Sequence, residues 1–181
     1  MTKRIIFFLI SLVSFPTVWS QQTVLKTNLL YDATSTINLG VEFMLSDKWT
    51  LDISGNYNPW EFGEYKKMKH WLIQPEAHYW LDEKYNKHFF GLHLHGGQYN
   101  MALPKLFDNR YQGWFLGAGV SYGYHWKWNE RWSMEFSLGL GYAYIDYDKY
   151  PCAICGEKLK ESSHHYFGPT KAGISLIYIL K

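Results

Sequence analysis

Two cysteines and two histidines near the carboxyl terminus have the types and spacing of metal ligands. Two residues separate Cys152 from Cys155, and eight residues separate Cys155 from the pair His164 and His165. Thiolate sulfur and imidazole nitrogen are ligands of tetrahedral Zn²⁺, so this spacing is compatible with a zinc-binding loop. Cysteines of an exported chain more often oxidise, and we expect a local Cys152–Cys155 disulfide. Metal binding is the alternative, and redox catalysis ranks last because no thioredoxin-like βαβ pattern surrounds the pair.

Six charged residues lie at positions that alternate with apolar residues along the chain. They are Lys26, Glu42, Asp52, Glu76, Glu135 and Lys171. Because an isolated buried ion is strongly unfavourable, charges of both signs on the inner face of a closed sheet are expected to pair or to be hydrated. We expect an ion-pair network that fills the interior, with a proton or ion path as the alternative.

Four histidines share the same predicted face, with Glu76 close by: His78, His93, His95 and His125. Imidazole and carboxylate groups together can bind Zn²⁺ or act as acid and base. The order of residues along the predicted strands places His78 and His125 near one end and His95 higher. We therefore expect hydrogen-bonded packing of these histidines, and neither a metal site nor a cofactor site.

These residues need a scaffold, and the sequence predicts one made of strands. Residues 131–147 alternate between small or polar residues and an apolar set, which is Trp132, Met134, Phe136, Leu138, Leu140, Tyr142 and Tyr144. A period of two separates the faces of a strand and not those of a helix. Similar alternation predicts eight strands, at roughly 24–32, 36–45, 49–58, 70–81, 88–101, 113–128, 131–147 and 166–180. Pro75 lies inside the fourth and cannot donate a hydrogen bond, so we expect a bulge or a register irregularity there.

The connections between these strands alternate in length. Short ones, at 46–48, 82–87 and 129–130, alternate with 33–35, 59–69, 104–112 and 149–165, of which the last three are long. Aromatic residues lie next to both sets and so form two levels. Short turns, long loops and two aromatic levels are typical of outer-membrane barrels. The sequence thus predicts an all-β fold, an eight-stranded antiparallel up-and-down transmembrane β-barrel, with an aromatic-rich soluble β-sandwich as the alternative.

The amino-terminal residues have the organisation of a signal peptide. Lys3 and Arg4 precede an apolar run that is too short to cross a bilayer as a helix, and Ser20 suits the residue before cleavage. We expect residues 1–20 to be removed, residues 21–181 to form one barrel domain, and the protein to reside in the outer membrane of a Gram-negative cell envelope. Without the signal peptide the chain has 16 basic and 16 acidic residues, so its charge gives no argument for nucleic acid.

The start of the mature chain resembles a known family. The segments KTNLLYDA at 26–33 and INLGVE at 37–42 are similar to an uncharacterised family of small outer-membrane barrels, a domain of unknown function. Members look like eight-stranded barrels in the general style of the OmpX and OmpA transmembrane domains, and some are similar to proteins encoded beside fimbrial genes. The resemblance implies a structural or surface-interaction role, with outer-membrane lipid, lipopolysaccharide and a surface or fimbrial protein as partners.

An enzyme remains the alternative function, because some small barrels modify lipid A with Ser, His and a carboxylate at membrane level. The candidates here are Glu161, Ser162, Ser163, His164 and His165. We predict that they lie in a loop, where no rigid element would position a catalytic group. Since the sequence also has no glycine-rich phosphate-binding motif, we expect no enzymatic activity.

Overall fold

A computed structural model of the chain describes residues 23–61, 66–103, 109–152, 154 and 156–180. The predicted signal peptide, residues 1–20, lies outside these ranges. The elements are β1 (Thr23–Asn28), α1 (Leu29–Ala33), β2 (Ile37–Met44), β3 (Trp49–Asn58), β4 (Lys67–Trp80), β5 (Lys87–Ala102), β6 (Arg110–Lys127), β7 (Trp132–Tyr150) and β8 (Lys160–Ile179).

Each strand pairs antiparallel with its neighbours in the sequence, and β1 also pairs with β8. The single sheet therefore closes in a ring, which leaves no strand edge unpaired along the ladder. The prediction of an all-β fold with eight antiparallel strands is confirmed. The alternative of a β-sandwich, which needs two packed sheets, is wrong because the strands form one closed sheet.

The alternation of residue types along each strand gives the sheet an apolar outer face and a polar inner face. Apolar side chains point outward, with Leu138, Leu92 and Leu116 exposed by 71%, 62% and 60%. Charged, amide and hydroxyl side chains point into the interior, where Glu42, Glu76 and Glu135 are almost completely buried. This arrangement is the reverse of a water-soluble domain, which buries its large aliphatic residues.

An apolar cluster fills the end of the interior that carries the short turns. Its members are Val24, Trp80, Tyr85, Phe89, Ile177 and Ile179. Tyr85 belongs to the turn between β4 and β5 and has a positive φ of 55°. Its ring lies 5.6 Å from that of Trp80, and Trp80 lies 4.9 Å from Phe89. The cluster closes this end of the ring with aromatic packing.

The first strand is shorter than predicted, because the chain turns into α1 after Asn28. The Asn28 side chain accepts a hydrogen bond from the Leu30 amide at 3.1 Å, which caps the helix amino terminus. Thr27 donates to Asp32 at 3.0 Å across the same turn. The predicted extension of this strand to residue 32 is therefore wrong.

The last strand is longer than predicted, and it begins at Lys160 and not at residue 166. It pairs with β7 from Lys149↔Lys160 onward, so the segment that contains Ser162 to His165 is strand. The loop between β7 and β8 is therefore shorter than the predicted loop at 149–165, because β7 ends at Tyr150 and β8 begins at Lys160. β4 and β6 likewise begin inside the predicted loops, while residues 62–65 and 104–108 lie outside the described part of the chain.

The prediction of a bulge or register shift at Pro75 is wrong. Pro75 pairs with Ile53, and the β4–β5 register is the same on both sides of it, at Ile73↔Gly96 and Glu76↔His93. Proline removes one donor from the ladder, which does not require a change of register. The register shift falls instead between Gly139 and Leu140 of β7, opposite an extra residue in β8.

No helix in the part of the chain that the structure describes is long and apolar enough to cross a bilayer.

Candidate functional site

A lysine at the centre of the interior contacts three carboxylates from three other strands. Lys26 Nζ lies 2.5 Å from Glu42 Oε2 on β2, 2.8 Å from Glu135 Oε2 on β7 and 3.6 Å from Asp52 Oδ2 on β3. The lysine is only 5% exposed. A buried ammonium group with three donors can satisfy this set of acceptors, which compensates the desolvation of all four charges.

A second ion pair crosses the ring between β4 and β8. Lys171 Nζ donates to Glu76, and the Ser121 hydroxyl on β6 donates to the same carboxylate. Strands β4 and β8 are four positions apart in the ring, so this pair connects opposite walls. The interior polar groups therefore connect strands that are not paired by backbone hydrogen bonds.

His78 joins the two ion-pair groups. Its Nδ1 lies 2.9 Å from Glu42 Oε1, and its Nε2 lies 3.5 Å from Glu76 Oε2. The structure thus brings all six predicted charges into one connected set, which we call the interior charge network, together with His78. The sequence grouped His78 with the other histidines. The sequence did contain an indication of this contact, because His78 lies two residues from Glu76 on the same face of one strand.

The network contains four carboxylates and two lysines, so it carries surplus negative charge. Both ring nitrogens of His78 face carboxylate oxygens, and an imidazole can donate from both only when it is doubly protonated. A cationic His78 would neutralise half of the surplus.

Part of the network has the geometry of a metal site. Ligand atoms of Glu42, His78 and Glu135 lie within 4.8 Å of one another. However, the ammonium group of Lys26 contacts Glu42 and Glu135 and takes the place that a cation would occupy between them. One imidazole with two carboxylates can bind Zn²⁺, but a lysine within 3 Å of both carboxylates competes with it directly.

The remaining interior histidines do not converge on one point. His125 packs against Trp80 and Tyr85 in the apolar cluster, with ring centroids 5.7 Å and 6.1 Å apart. His93 lies higher and its Nε2 is 2.9 Å from Thr170 Oγ1, while His95 is one step beyond it. The four histidines that share a predicted face therefore occupy different levels.

The register shift in β8 has a direct consequence for the interior. Thr170 contacts His93 and the next residue, Lys171, contacts Glu76, so two consecutive residues reach inward. A regular strand would send one of them outward. A bulge permits this by adding one residue to one strand of a pair.

A small polar cavity of about 40 Å³ lies beside the network and is lined by Lys26, Asp52, Gln74, Glu135 and Lys171 among others. Asp52 Oδ1 and Gln74 Nε2 are buried and have no hydrogen-bond partner among the residues that the structure describes. A cavity of this size accommodates a water molecule, which needs two or more polar partners. The interior beside the network is therefore polar and roomy enough to hold a water molecule.

The carboxyl-terminal candidates are arranged differently from the prediction. Cys152 is disulfide-bonded, whereas Cys155 lies outside the described residues, so the predicted Cys152–Cys155 pairing stays a prediction. His164 and His165 are neighbours on β8 and point to opposite faces. A zinc site that uses both histidines is therefore disfavoured by the backbone.

The predicted enzyme candidates are strand residues, so the expectation that they lie in a loop is wrong. Ser163 and His165 face outward with Glu161, and Ser162 faces inward with His164. His165 Nδ1 lies 2.6 Å from the hydroxyl of Tyr142, which belongs to the outward face of β7. Ser163 is the register partner of Asp146 on the same strand as Tyr142.

Exposed lysines at the rim are paired with acids of the same chain. Lys69 lies 2.5 Å from Glu61, and the hydrogen bond from Lys69 lowers the pKa of the Glu61 carboxyl. Lys158 lies 2.8 Å from Asp148 and 3.2 Å from Glu161, and hydrogen bonds to both raise the pKa of Lys158 to about 12. These contacts reduce the positive charge that the rim offers to an anionic partner.

The fold and its interior define an all-β protein in which eight antiparallel strands form a closed ring around a charged core. Residues 5–180 match the family described as "Protein of unknown function (DUF3575)", and the chain belongs to that family. The predicted membership of a domain-of-unknown-function family is thus confirmed. No curated protein is significantly similar to the chain.

Proposed function

We propose that the chain is a small outer-membrane β-barrel with a structural or surface-interaction role. The observation that carries this proposal is the apolar outer face of a closed sheet. Side chains such as Val120, Leu138 and Leu140 are more than 60% exposed, although they lie in the middle of their strands. Such a surface is unfavourable in water and favourable in lipid, and a closed sheet satisfies its own backbone there.

Aromatic pairs near both ends of the strands support the same proposal. Trp49 lies 5.1 Å from Tyr79, and Trp132 lies 4.9 Å from Tyr178, next to the short turns. Trp114 lies 5.6 Å from Tyr144 near the opposite rim. Aromatic residues at two levels suit the two interfaces of a bilayer.

The filled interior favours an interactive role over transport. The interior charge network crosses the ring, and the aromatic cluster around Trp80 closes the end with short turns. An eight-stranded barrel is only just wide enough for its own side chains. A barrel of this kind would work through its surfaces, namely the lipid-facing wall and the end with the long loops.

Partners follow from those surfaces. Outer-membrane lipid would cover the apolar wall, and lipopolysaccharide would meet the rim. A surface or fimbrial protein as the partner of the loop end is supported only by the sequence resemblance. The barrel would reach the outer membrane through cleavage of the predicted signal peptide at residues 1–20.

The mobility of unheated and heated protein in a detergent gel tests the barrel. A folded barrel resists the detergent until it is heated, so the unheated sample should run at a different position from the heated one. Protein that is soluble in plain buffer and shows no shift would contradict the proposal.

A lipid A-modifying enzyme is the second candidate, and one observation favours it. Ser163, His165 and Asp146 share an outward face on two paired strands, which is a more rigid setting than a loop. Against it, His165 Nδ1 is engaged by Tyr142. Incubation with labelled lipid A decides between the two. Deacylation or acyl transfer that is lost in Ser163→Ala and in His165→Ala, but kept in the inward-facing control Ser162→Ala, would favour the enzyme.

A further inference from the structure

A groove runs along the outer surface of β5 between walls on β4 and β6. Its floor is Gly96, whose register partners are Ile73 on one side and Leu116 on the other. One step higher, Trp71 and Trp114 stand on either side of β5. Neighbouring strands are about 4.8 Å apart, so the backbones of the two walls are about 10 Å apart. This width accommodates one hydrocarbon chain.

The groove has two halves of different chemistry. The lower half is a cavity of about 460 Å³ with mainly apolar walls, including Ile73, Pro75, Leu94 and Leu116. The upper half is a cavity of about 510 Å³ whose walls include Gln98, Asn100, Gln112 and Asp146. Both cavities are lined by Trp71, Gln98 and Trp114, so they are continuous. An apolar slot that leads into a polar one is the shape expected for an amphiphile.

Hydrogen bonds in the upper half leave acceptors free. Trp71 Nε1 donates to Gln98 Oε1 at 3.2 Å, and Asn100 Nδ2 donates to Gln112 Oε1 at 3.3 Å. The other end of the Asn100 amide, Oδ1, is buried and has no hydrogen-bond partner in the described part of the chain. Among the described residues, the Asp146 carboxylate forms no ion pair or hydrogen bond. These oxygens call for a ligand that donates hydrogen bonds.

The charges around the upper half select a class of headgroup. Lys69 lies 2.5 Å from Glu61 and Lys158 lies 2.8 Å from Asp148, so each ammonium already has a carboxylate beside it that offsets its positive charge. Gln98 lies between Trp71 and Trp114, and Asp146 lies beside Trp114 on β7. Amide and carboxylate oxygens next to two indole rings suit the hydroxyl groups and the apolar face of a sugar. The chemistry therefore favours a sugar headgroup over an anionic one.

Strand packing does not require glycine at position 96, the floor of the groove. A Cβ on the neighbouring Gly97 would meet the backbone oxygen of Trp71, so glycine is required there. A Cβ on Gly96 would lie 3.2 Å from the Cδ1 atom of the Leu116 side chain and 3.5 Å from the backbone oxygen of Phe115, which is an ordinary van der Waals contact. A larger residue at position 96 would therefore fill the groove and leave the strand pairing intact.

We propose that this groove binds a single glycolipid of the outer leaflet, with an acyl chain over Gly96 and its sugar between Trp71 and Trp114. The proposal rests on the membrane-spanning barrel proposed above, because the two tryptophans then lie at the lipid headgroup level. The wall between β4 and β6 is thus a specific lipid site, in contrast to the general lipid contact of the remaining outer face.

Two matched glycine variants test the site. Gly96→Phe fills the groove, whereas Gly55→Phe adds the same side chain at the same level, since Gly55 pairs with Ile73, at a position with open space around it. The proteins are refolded into phosphatidylcholine vesicles that contain monogalactosyl diacylglycerol with the same acyl chains. Each is then extracted in mild detergent, and the lipids that remain bound are counted by native mass spectrometry.

The wild type and Gly55→Phe should each retain one galactolipid in preference to phosphatidylcholine. Gly96→Phe should lose about tenfold in galactolipid occupancy, while it keeps the heat-dependent gel shift. Equal retention of the two lipids by the wild type, or equal galactolipid retention by the two variants, would overturn the glycolipid site and leave the barrel intact. A wild type without a gel shift would overturn the barrel proposal and the lipid site together.

Discussion

The Lys26 ammonium lies 2.8 Å from the Glu135 carboxylate, although 109 residues separate the two in the chain. Lys26 is on β1 and Glu135 on β7, and β8 lies between these strands in the ring. The contact therefore crosses the interior and forms only when β1 and β8 have closed the sheet. It links the stability of the ring to a buried ion pair.

Replacement of Glu135 by alanine should destabilise the folded ring. The change leaves Lys26 with two carboxylates in place of three, and the expected loss is about 3–5 kcal/mol, because one partner of a buried ion pair is removed. The temperature at which the compact gel band disappears measures it. Glu130→Ala, in the exposed turn before β7, is the control and should change that temperature little. Equal values for the two variants would argue against an interior pairing role.

Replacement of Lys26 by methionine should create a metal site. The ligand atoms of Glu42, His78 and Glu135 are already close, and the ammonium that competes with a cation is gone. We expect Zn²⁺ to raise the unfolding temperature of Lys26→Met and not that of the wild type, because a ligand that binds only the folded state stabilises it. The double variant Lys26→Met, His78→Ala is the control. An equal response of the double and single variants would show that these residues do not bind the ion.

Gly97→Ala should weaken the sheet between β4 and β5. Its Cβ would collide with the backbone oxygen of Trp71, and such overpacking costs about 1–3 kcal/mol. Gly55→Ala, at a position where no atom lies within 4 Å of the added Cβ, should be close to neutral. Denaturant midpoints of the two variants provide the comparison. A Gly97→Ala midpoint equal to that of Gly55→Ala would contradict the close approach of the strands.

Leu138→Arg distinguishes a lipid-facing wall from a water-facing one. In a bilayer an outward arginine near mid-height costs about 2–4 kcal/mol, whereas at a water-exposed site the change is within about 0.5 kcal/mol. Refolding yield and urea midpoint in lipid vesicles report the difference. Leu159→Arg is the control, because Leu159 is similarly exposed but lies outside the strands. Two variants with the same midpoint would speak against insertion.

The predicted Cys152–Cys155 disulfide has a simple chemical test. Denatured, non-reduced protein should take up no maleimide label, and reduction should expose two thiols, because the chain contains two cysteines. Labelling without reduction would show free thiols, and the zinc-binding loop would then be the better interpretation of Cys152 and Cys155.

The sequence predicted the two faces of the sheet well, because alternation is a local property. Glu42 and Asp52 were placed on the inner face from their neighbours alone, and they are register partners in the ring. The contacts of Lys26 with Glu135 and of Lys171 with Glu76 depend on how the sheet closes, which no local pattern encodes.

The differences at the ends of strands have local causes. Leu29 and Tyr31 continue the alternation of β1, so the helix after Asn28 was hidden by a strand-like pattern, although Asn28 and Asp32 are typical of a capped turn. The start of β8 lacks large aliphatic residues between Lys160 and His165, so it resembled a loop. The sequence analysis expected a bulge at Pro75 and did not consider Pro169, so it missed the bulge near Thr170.

The strands differ greatly in length around the ring. β1 and β2 have 6 and 8 residues, whereas β6, β7 and β8 have 18, 19 and 20. About 9–11 residues suffice for a tilted strand to cross a bilayer. In the proposed membrane-spanning barrel, the additional residues of the long strands would therefore extend beyond the bilayer on one side of the mouth. A protein that approaches over β1 and β2 would reach the mouth directly, while one that approaches over β7 would meet these additional residues first. The molecule would thus have a front and a back within the membrane plane, and its partners would dock from one direction.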